Sequence, residues 1–559
     1  MQQTYTLSPQ TLAKTEVYVG AKALALFADE DFITAWNELY EQCDWATVFQ
    51  SSAFVETWYN SFGNLYEPVI VKREENGQLT GLLTLARGVE KLGITAAGGW
   101  DAYYHTWLVT ENDQDRFIRS ALAAVRKRFP GQKVMFKYIP PNTPLSWLHT
   151  DAFWRRRYVI RPFKRPVMEF TNPEVQQLFR KKQFRECRNR LARLGELRYE
   201  QVKDLETFIA VIDELAVQYD FRKGATLNKL PFRSCPAKKD FLLGLFKQNL
   251  LHVTLLKIDE KIIASLVATE GKGQWLHGAG INTHSPEFGR HSPGYVIMTM
   301  LGQQLHGEGY FAFDLTPGGH AYKDRLATGH DQLYELTITD WQKAFAGRLF
   351  YDYLKKASMY GLSRAGINPK ALRGQFERNI SLAKEKVKLA KLNGLEVIRE
   401  GGAKETVSHT FVLGALRVQP EPWLSLKQNN LADLLNYHVA GGKQTRWEFL
   451  EDAMRRLENG ERAFTWEENG QLKACAWVRS QPEAGKAKQV LDATIPALAS
   501  VLCSSYFHPD SKAGFPGFLA AVCKEVLPQA GDAGLYATVS DSDKPLQHTL
   551  QEIGFQKVS

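Results

Sequence analysis

The sequence predicts an α/β (α+β) chain built from three mixed, mostly antiparallel sheet units in tandem, each flanked by helices. Three observations carry this. A strand, a break, a short helix and a strand recur at 132–160, 311–338 and 534–559. A hairpin precedes each recurrence, at 68–86, 250–269 and 462–478. Two of those hairpins share the turn "ENGQL", and Asn-Gly between apolar runs is a strong hairpin signal.

The middle unit is the clearest. "LETFIAVIDELAVQY" sets Leu205, Phe208, Ile212, Leu215 and Tyr219 on one helical face. Strands are expected at 250–258, 262–269 and 274–281, the first two joined by Asp259-Glu260-Lys261. The loop "NTHSPEFGRHSPG" leads into the helix "GYVIMTMLGQQLHG", then the strand "FAFDL" and a last strand at 333–338. A meander followed by a βαβ crossover gives a mixed sheet. The helix N-terminus then points N–H groups to where such a sheet can splay. The expected boundaries are 1–160, 161–345, a basic helical connector at 346–400, and 401–559. "RPFKRPVMEF" (161–170) reads as a bridge and "REGGAKETVS" (399–408) as a linker.

The chain has 559 residues, 44% hydrophobic and 23% charged, which suits several packed cores and excludes a disordered protein. A net charge of +9 favours anionic partners, yet it is modest for this length and speaks against a dedicated nucleic-acid binder. Six scattered cysteines without CxxC spacing fit reduced thiols in a cytoplasmic protein. No stretch is long and apolar enough to span a bilayer, and no HExxH, GxSxG or P-loop pattern occurs, so no metal is expected.

"HSPGYVIMTMLGQQLHGEGYFAFDLTPGGHAYKDRLATG" resembles the Ser-Pro-Gly helix, Asp-containing strand and Tyr-Lys motif of CelD-like, FemAB-related proteins of the GNAT acyltransferase superfamily. "LFRKKQFRECRNRLARLGELRYEQV" resembles their basic helix and following strand. "VFQSSAFVETWYNSFG" and "LYEPVIVKREENGQLTGLLTL" resemble their N-terminal half, and Gly554-Phe555 resembles the usual GNAT ending. The resemblance covers residues 40–340 and implies tandem GNAT folds, the first a non-catalytic partner, with a third, diverged copy at the C-terminus. It implies acyl transfer from acyl-CoA (acetyl-CoA) to an amine or hydroxyl of a small-molecule or saccharide acceptor, as in polysaccharide synthesis. The alternatives are a ligase using aminoacyl-tRNA and a non-catalytic scaffold. The central loop "EFGRHSPG" departs from the usual Gln/Arg-x-x-Gly-x-Gly/Ala cradle but offers Gly289, Arg290, Ser292 and Gly294 for the donor phosphates.

Asp314 stands inside an apolar strand, where a carboxylate needs a partner. It is either an ion pair with Lys323 or Arg325, or a general base. Lys323 is a phosphate or carbonyl contact, or a surface lysine. His320 is a proton acceptor or a solvated loop histidine. Tyr322 protonates the leaving thiolate, as the resemblance implies, or covers the sheet. His277 is an acceptor contact or a core histidine. Arg185 and Arg188 belong to a helix (180–193) whose excess of cations marks an anionic acceptor or tRNA, or a solvated face.

Overall fold

The computed structural model describes residues 14–89, 93–278, 280–318, 321–357, 378–389, 408–439, 444–481 and 495–558. His320 and nearly all of 399–408 lie outside the described residues. The chain forms two compact units. The first holds residues 1–212, 235–282 and 293–367, and the second holds 213–234, 283–292 and 368–559.

The first unit is built on one sheet. Its strands are β1 (Lys14–Val19), β2 (Tyr66–Glu75), β3 (Gln78–Gly88), β4 (Ile94–Ala96), β5 (Val134–Ile139), β6 (Tyr158–Glu169), β7 (Leu197–Val202), β8 (Leu251–Ile258), β9 (Lys261–Gly271), β10 (Trp275–His277), β11 (Ala312–Asp314) and β12 (Gly329–Ile338). Along the main path the hydrogen-bonded order is β1-β2-β3-β4-β5-β12-β6-β11-β10-β9-β8-β7. Read from either end, the pattern is the same: five strands in chain order, then the closing strand of the other half. Each half lends its closing strand to the other: β6 pairs with β11, and β12 pairs with β5.

This exchange corrects the reading of 161–170 as a bridge. The stretch is the body of β6, paired with β12 from Tyr158 to Val167. Its basic residues mimic a solvated linker because their partners are remote in sequence. Arg161 faces Glu335 at 3.7 Å, and Arg165 Nε donates to Asp331 Oδ1 at 2.8 Å.

Local chemistry explains the hairpins. Asn76 and Gly77 both take positive φ, 55° and 78°, which is what a tight turn between twisted strands requires. Asn469 and Gly470 repeat this at 53° and 75° in the second unit. That unit carries β13 (Ser408–Leu413), β14 (Lys427–Gln428), β15 (Arg462–Glu468), β16 (Gln471–Ser480), β17 (Ser500–Phe507), β18 (Leu535–Ser540) and β19 (Phe555–Lys557), in the order β14-β15-β16-β17-β18-β13-β19.

One feature occurs in all three repeats. A short parallel pair follows the hairpin, with a helix as its crossover. The pairs are β4 with β5, β10 with β11, and β17 with β18. The crossover helices are Gln114–Arg128, Pro293–Gly307 and Phe515–Ala530. The expected fold class, mixed sheets flanked by helices, is the one observed.

The faces of the first sheet differ in kind. Phe117, Ile118 and Leu122 pack on Val69, Leu83, Leu85 and Phe136, all buried. Each such side chain contributes about 1.5–3 kcal/mol. Strand alternation turns Lys137, Arg165 and Asp314 to the opposite face, with His277 beside Asp314 in register.

Candidate active site

The site is assembled at the end of β11. Asp314 is fully buried, with 0% of its surface exposed. Its Oδ1 accepts the Thr316 N–H at 2.7 Å. Its Oδ2 accepts the Tyr104 hydroxyl, pairs with His277 Nδ1 at 2.9 Å, and lies 3.7 Å from the Arg165 guanidinium. Asp314 is therefore not paired with Lys323 or Arg325. Thr316, at φ 62°, turns the chain back, so that Lys323 Nζ donates to its Oγ1 at 2.7 Å and its carbonyl at 3.0 Å.

The electrostatics follow from this packing. Burial raises the Asp314 pKa, but Arg165 and then His277 and Tyr104 outweigh it and hold the carboxyl below its ordinary range. Burial first, and then the Asp314 carboxylate, push the Tyr104 phenol well above its usual value. Asp314 is thus an anion and Tyr104 a neutral donor.

Rings enclose the histidine. Trp275 stacks on His277 at 6.0 Å, with Tyr104 at 5.4 Å and Phe49 at 5.9 Å. Arg165 lies over Trp275 and Tyr104 at 5.0 and 5.1 Å. Gly271 is required beside the ring: a Cβ there would sit 2.7 Å from His277 Nε2. In a neutral ring, an Nδ1–H held by Asp314 puts the lone pair on Nε2, the tautomer a proton acceptor needs. Asp331, which ion-pairs Arg165, also lines a cavity of about 400 Å³ with Pro162, Phe163, Lys164, His330 and Gln332.

The other sequence-predicted residues lie as follows. Lys323 is only 8% exposed, so it is not a surface lysine. Tyr322 is half-buried on the short helix Ala321–Leu326. Gly289, Arg290 and Ser292 belong to the second unit, and Gly294 to the first. In the second unit a Cβ at Gly289 would meet Glu458, and the Arg290 guanidinium occupies the space beside Gly460. Ser292 takes a left-handed φ of 60° just before the helix Pro293–Gly307. Arg185 and Arg188 are exposed on the helix Lys182–Ala192, which buries Phe184, Cys187 and Leu191. Among the described residues no group of His, Cys, Asp or Glu could hold a metal, and no helix is long and apolar enough to cross a membrane.

Sequence reasoning missed Tyr104 and Arg165. "GGWDAYYHTW" shows an aromatic-rich loop, but nothing in it points to Asp314. Lys323→Met is expected to lower stability by about 1–3 kcal/mol, because it strands the buried Thr316 acceptors. Thermal melting checks this, and a wild-type melting curve would contradict it.

A model of the GNAT acetyltransferase domain matches residues 179–324. Among solved structures, FemX is 10% identical, with 56% of this chain and 97% of that one covered and a TM-score of 0.40. L-PGS from Bacillus licheniformis is 13% identical, covering 46% and 81%, at 0.33. A GNAT-family acetyltransferase from Colwellia psychrerythraea is 8% identical, covering 65% and 96%, at 0.21. No curated protein matches the chain. His277, Asp314 and Lys323 fall inside the matched segment, 179–324, which is similar to a GNAT acetyltransferase domain.

Proposed function

We propose that this protein transfers an acyl group from acyl-CoA to an amine or hydroxyl of a small-molecule or saccharide acceptor, at the Asp314–His277 site. The observation that carries the reading is the buried carboxylate bonded to His277 Nδ1 at the end of β11, within the GNAT-matching segment. The acceptor nitrogen or oxygen attacks the thioester carbonyl, the C–S bond breaks, and the CoA thiolate leaves. The acceptor proton passes to His277 Nε2, while Asp314 holds the ring and offsets its new charge. Arg165 and Tyr104 keep Asp314 ionised and oriented. The donor phosphates meet backbone N–H groups near Gly294, at the start of the helix Pro293–Gly307.

The exposed cations Arg185 and Arg188 favour a second reading, in which the donor is an aminoacyl-tRNA. The test is thiol release from acetyl-CoA and longer acyl-CoAs against a panel of amines and hydroxyl compounds. Acceptor-dependent release is expected. Aminoacyl transfer from charged tRNA, without thiol release, would replace this reading with the second.

A further inference from the structure

The internal symmetry of the first sheet places a counterpart of Asp314 in the N-terminal half. Phe136-Lys137-Tyr138-Ile139-Pro140 aligns with Phe313-Asp314-Leu315-Thr316-Pro317, and β5 and β11 hold matching places in the strand order. Lys137 thus stands where the other half has its carboxylate, on the same face of the sheet.

Three aromatic rings surround its ammonium. Lys137 Nζ lies 5.1 Å from the ring centre of Trp100, 4.7 Å from Tyr103 and 5.2 Å from Tyr138. Among the described residues it has no hydrogen-bond acceptor and no carboxylate within ion-pairing distance. The nearby Asp101 carboxylate is taken by Lys238 and by Trp58 Nε1 at 3.4 Å. Burial lowers the lysine to about 8, with Asp101 and then Glu335 opposing. Trp100 is 68% exposed, an open indole face beside an ammonium with no ion-paired carboxylate among the described residues.

The cage is held in place by the backbone. His105 Nδ1 accepts the Lys137 N–H at 3.0 Å, and His105 Nε2 bonds the Gly99 carbonyl at 3.0 Å. Burial, and then Lys137, push His105 down to about 3, so its ring stays neutral in the one tautomer that serves both contacts. Tyr138 is fixed at φ 49°, a costly conformation for an aromatic residue. The same loop sends Tyr104 to Asp314 and Tyr103 to Lys137.

We infer that Trp100, Tyr103, Lys137 and Tyr138 form an acceptor subsite for a small anionic ring compound, whose flat face stacks on Trp100 and whose carboxylate or phosphate meets Lys137. A desolvated ammonium ringed by aromatics gains most from a ligand that supplies both an anion and a ring face. As an acceptor subsite it rests on the acyl-transfer reading, but ligand binding there needs no donor.

Calorimetry on the full chain tests it with glucuronate, glucose 6-phosphate and neutral glucose. The two anionic sugars are expected to bind about tenfold or more tighter than glucose, as one charge-assisted contact allows. Their relative affinities distinguish carboxylate from phosphate. Lys137→Met should remove the difference, and Trp100→Ala, a surface change with little cost to folding, should weaken both anionic sugars. Equal binding of charged and neutral sugars, no binding of any, or unchanged affinities in Trp100→Ala would overturn the inference. Should donor binding persist through that failure, the acyl-transfer reading stands without it.

Discussion

Arg165→Met should cost about 3–5 kcal/mol of stability, the largest loss expected of any single change at the site. The guanidinium lies against both Asp314 and Asp331, and Asp314 is wholly buried. Removing the cation leaves a carboxylate without its main charge partner in a dry interior, where charge is expensive. A typical protein has only about 5–15 kcal/mol in hand, so the variant should melt well below wild type. Arg165→Met with Asp314→Asn should recover part of the loss, because the stranded charge is gone. Denaturant unfolding measures both, and a loss under about 1 kcal/mol would show that Arg165 does not neutralise Asp314.

His277→Gln should lower kcat/KM about 10²–10⁴-fold, the range for loss of a general base. Glutamine keeps a side-chain N–H for Asp314 but has no basic nitrogen. Asp314→Asn should also slow transfer, since it weakens the hold on the Nδ1–H tautomer. The two effects should not add, because both act through one proton transfer. Steady-state kinetics of thiol release measure this, with melting curves to confirm folding. Wild-type kinetics in a folded His277→Gln protein would remove the histidine from the reaction.

Local signals were legible in the sequence where one segment decides the structure. Asn76-Gly77 and Asn469-Gly470 turn as their dipeptides demand. Asp314 was legible as a functional candidate because a carboxylate between Phe313 and Leu315 needs a reason. Its partners were not. Tyr104 is 210 residues away and reaches Asp314 only because the two halves share one sheet. The strand exchange hid Arg165 as well, since its stretch reads as linker until β12 supplies Asp331. Lys137 was equally silent, for a lysine in a strand declares nothing until Trp100, Tyr103 and Tyr138 surround it. The packing of the Gly289–Ser292 loop was silent too. Its composition suits a phosphate cradle, whereas Gly289 and Arg290 pack closely on Glu458 and Gly460.

The most direct measurement is a calorimetric titration of the full-length protein with acetyl-CoA and longer acyl-CoAs, repeated on His277→Gln. Both proteins are expected to bind at least one acyl-CoA saturably, with acceptor-dependent thiol release from wild type alone. An absence of heat with every acyl-CoA, alongside binding of aminoacyl-tRNA, would contradict it.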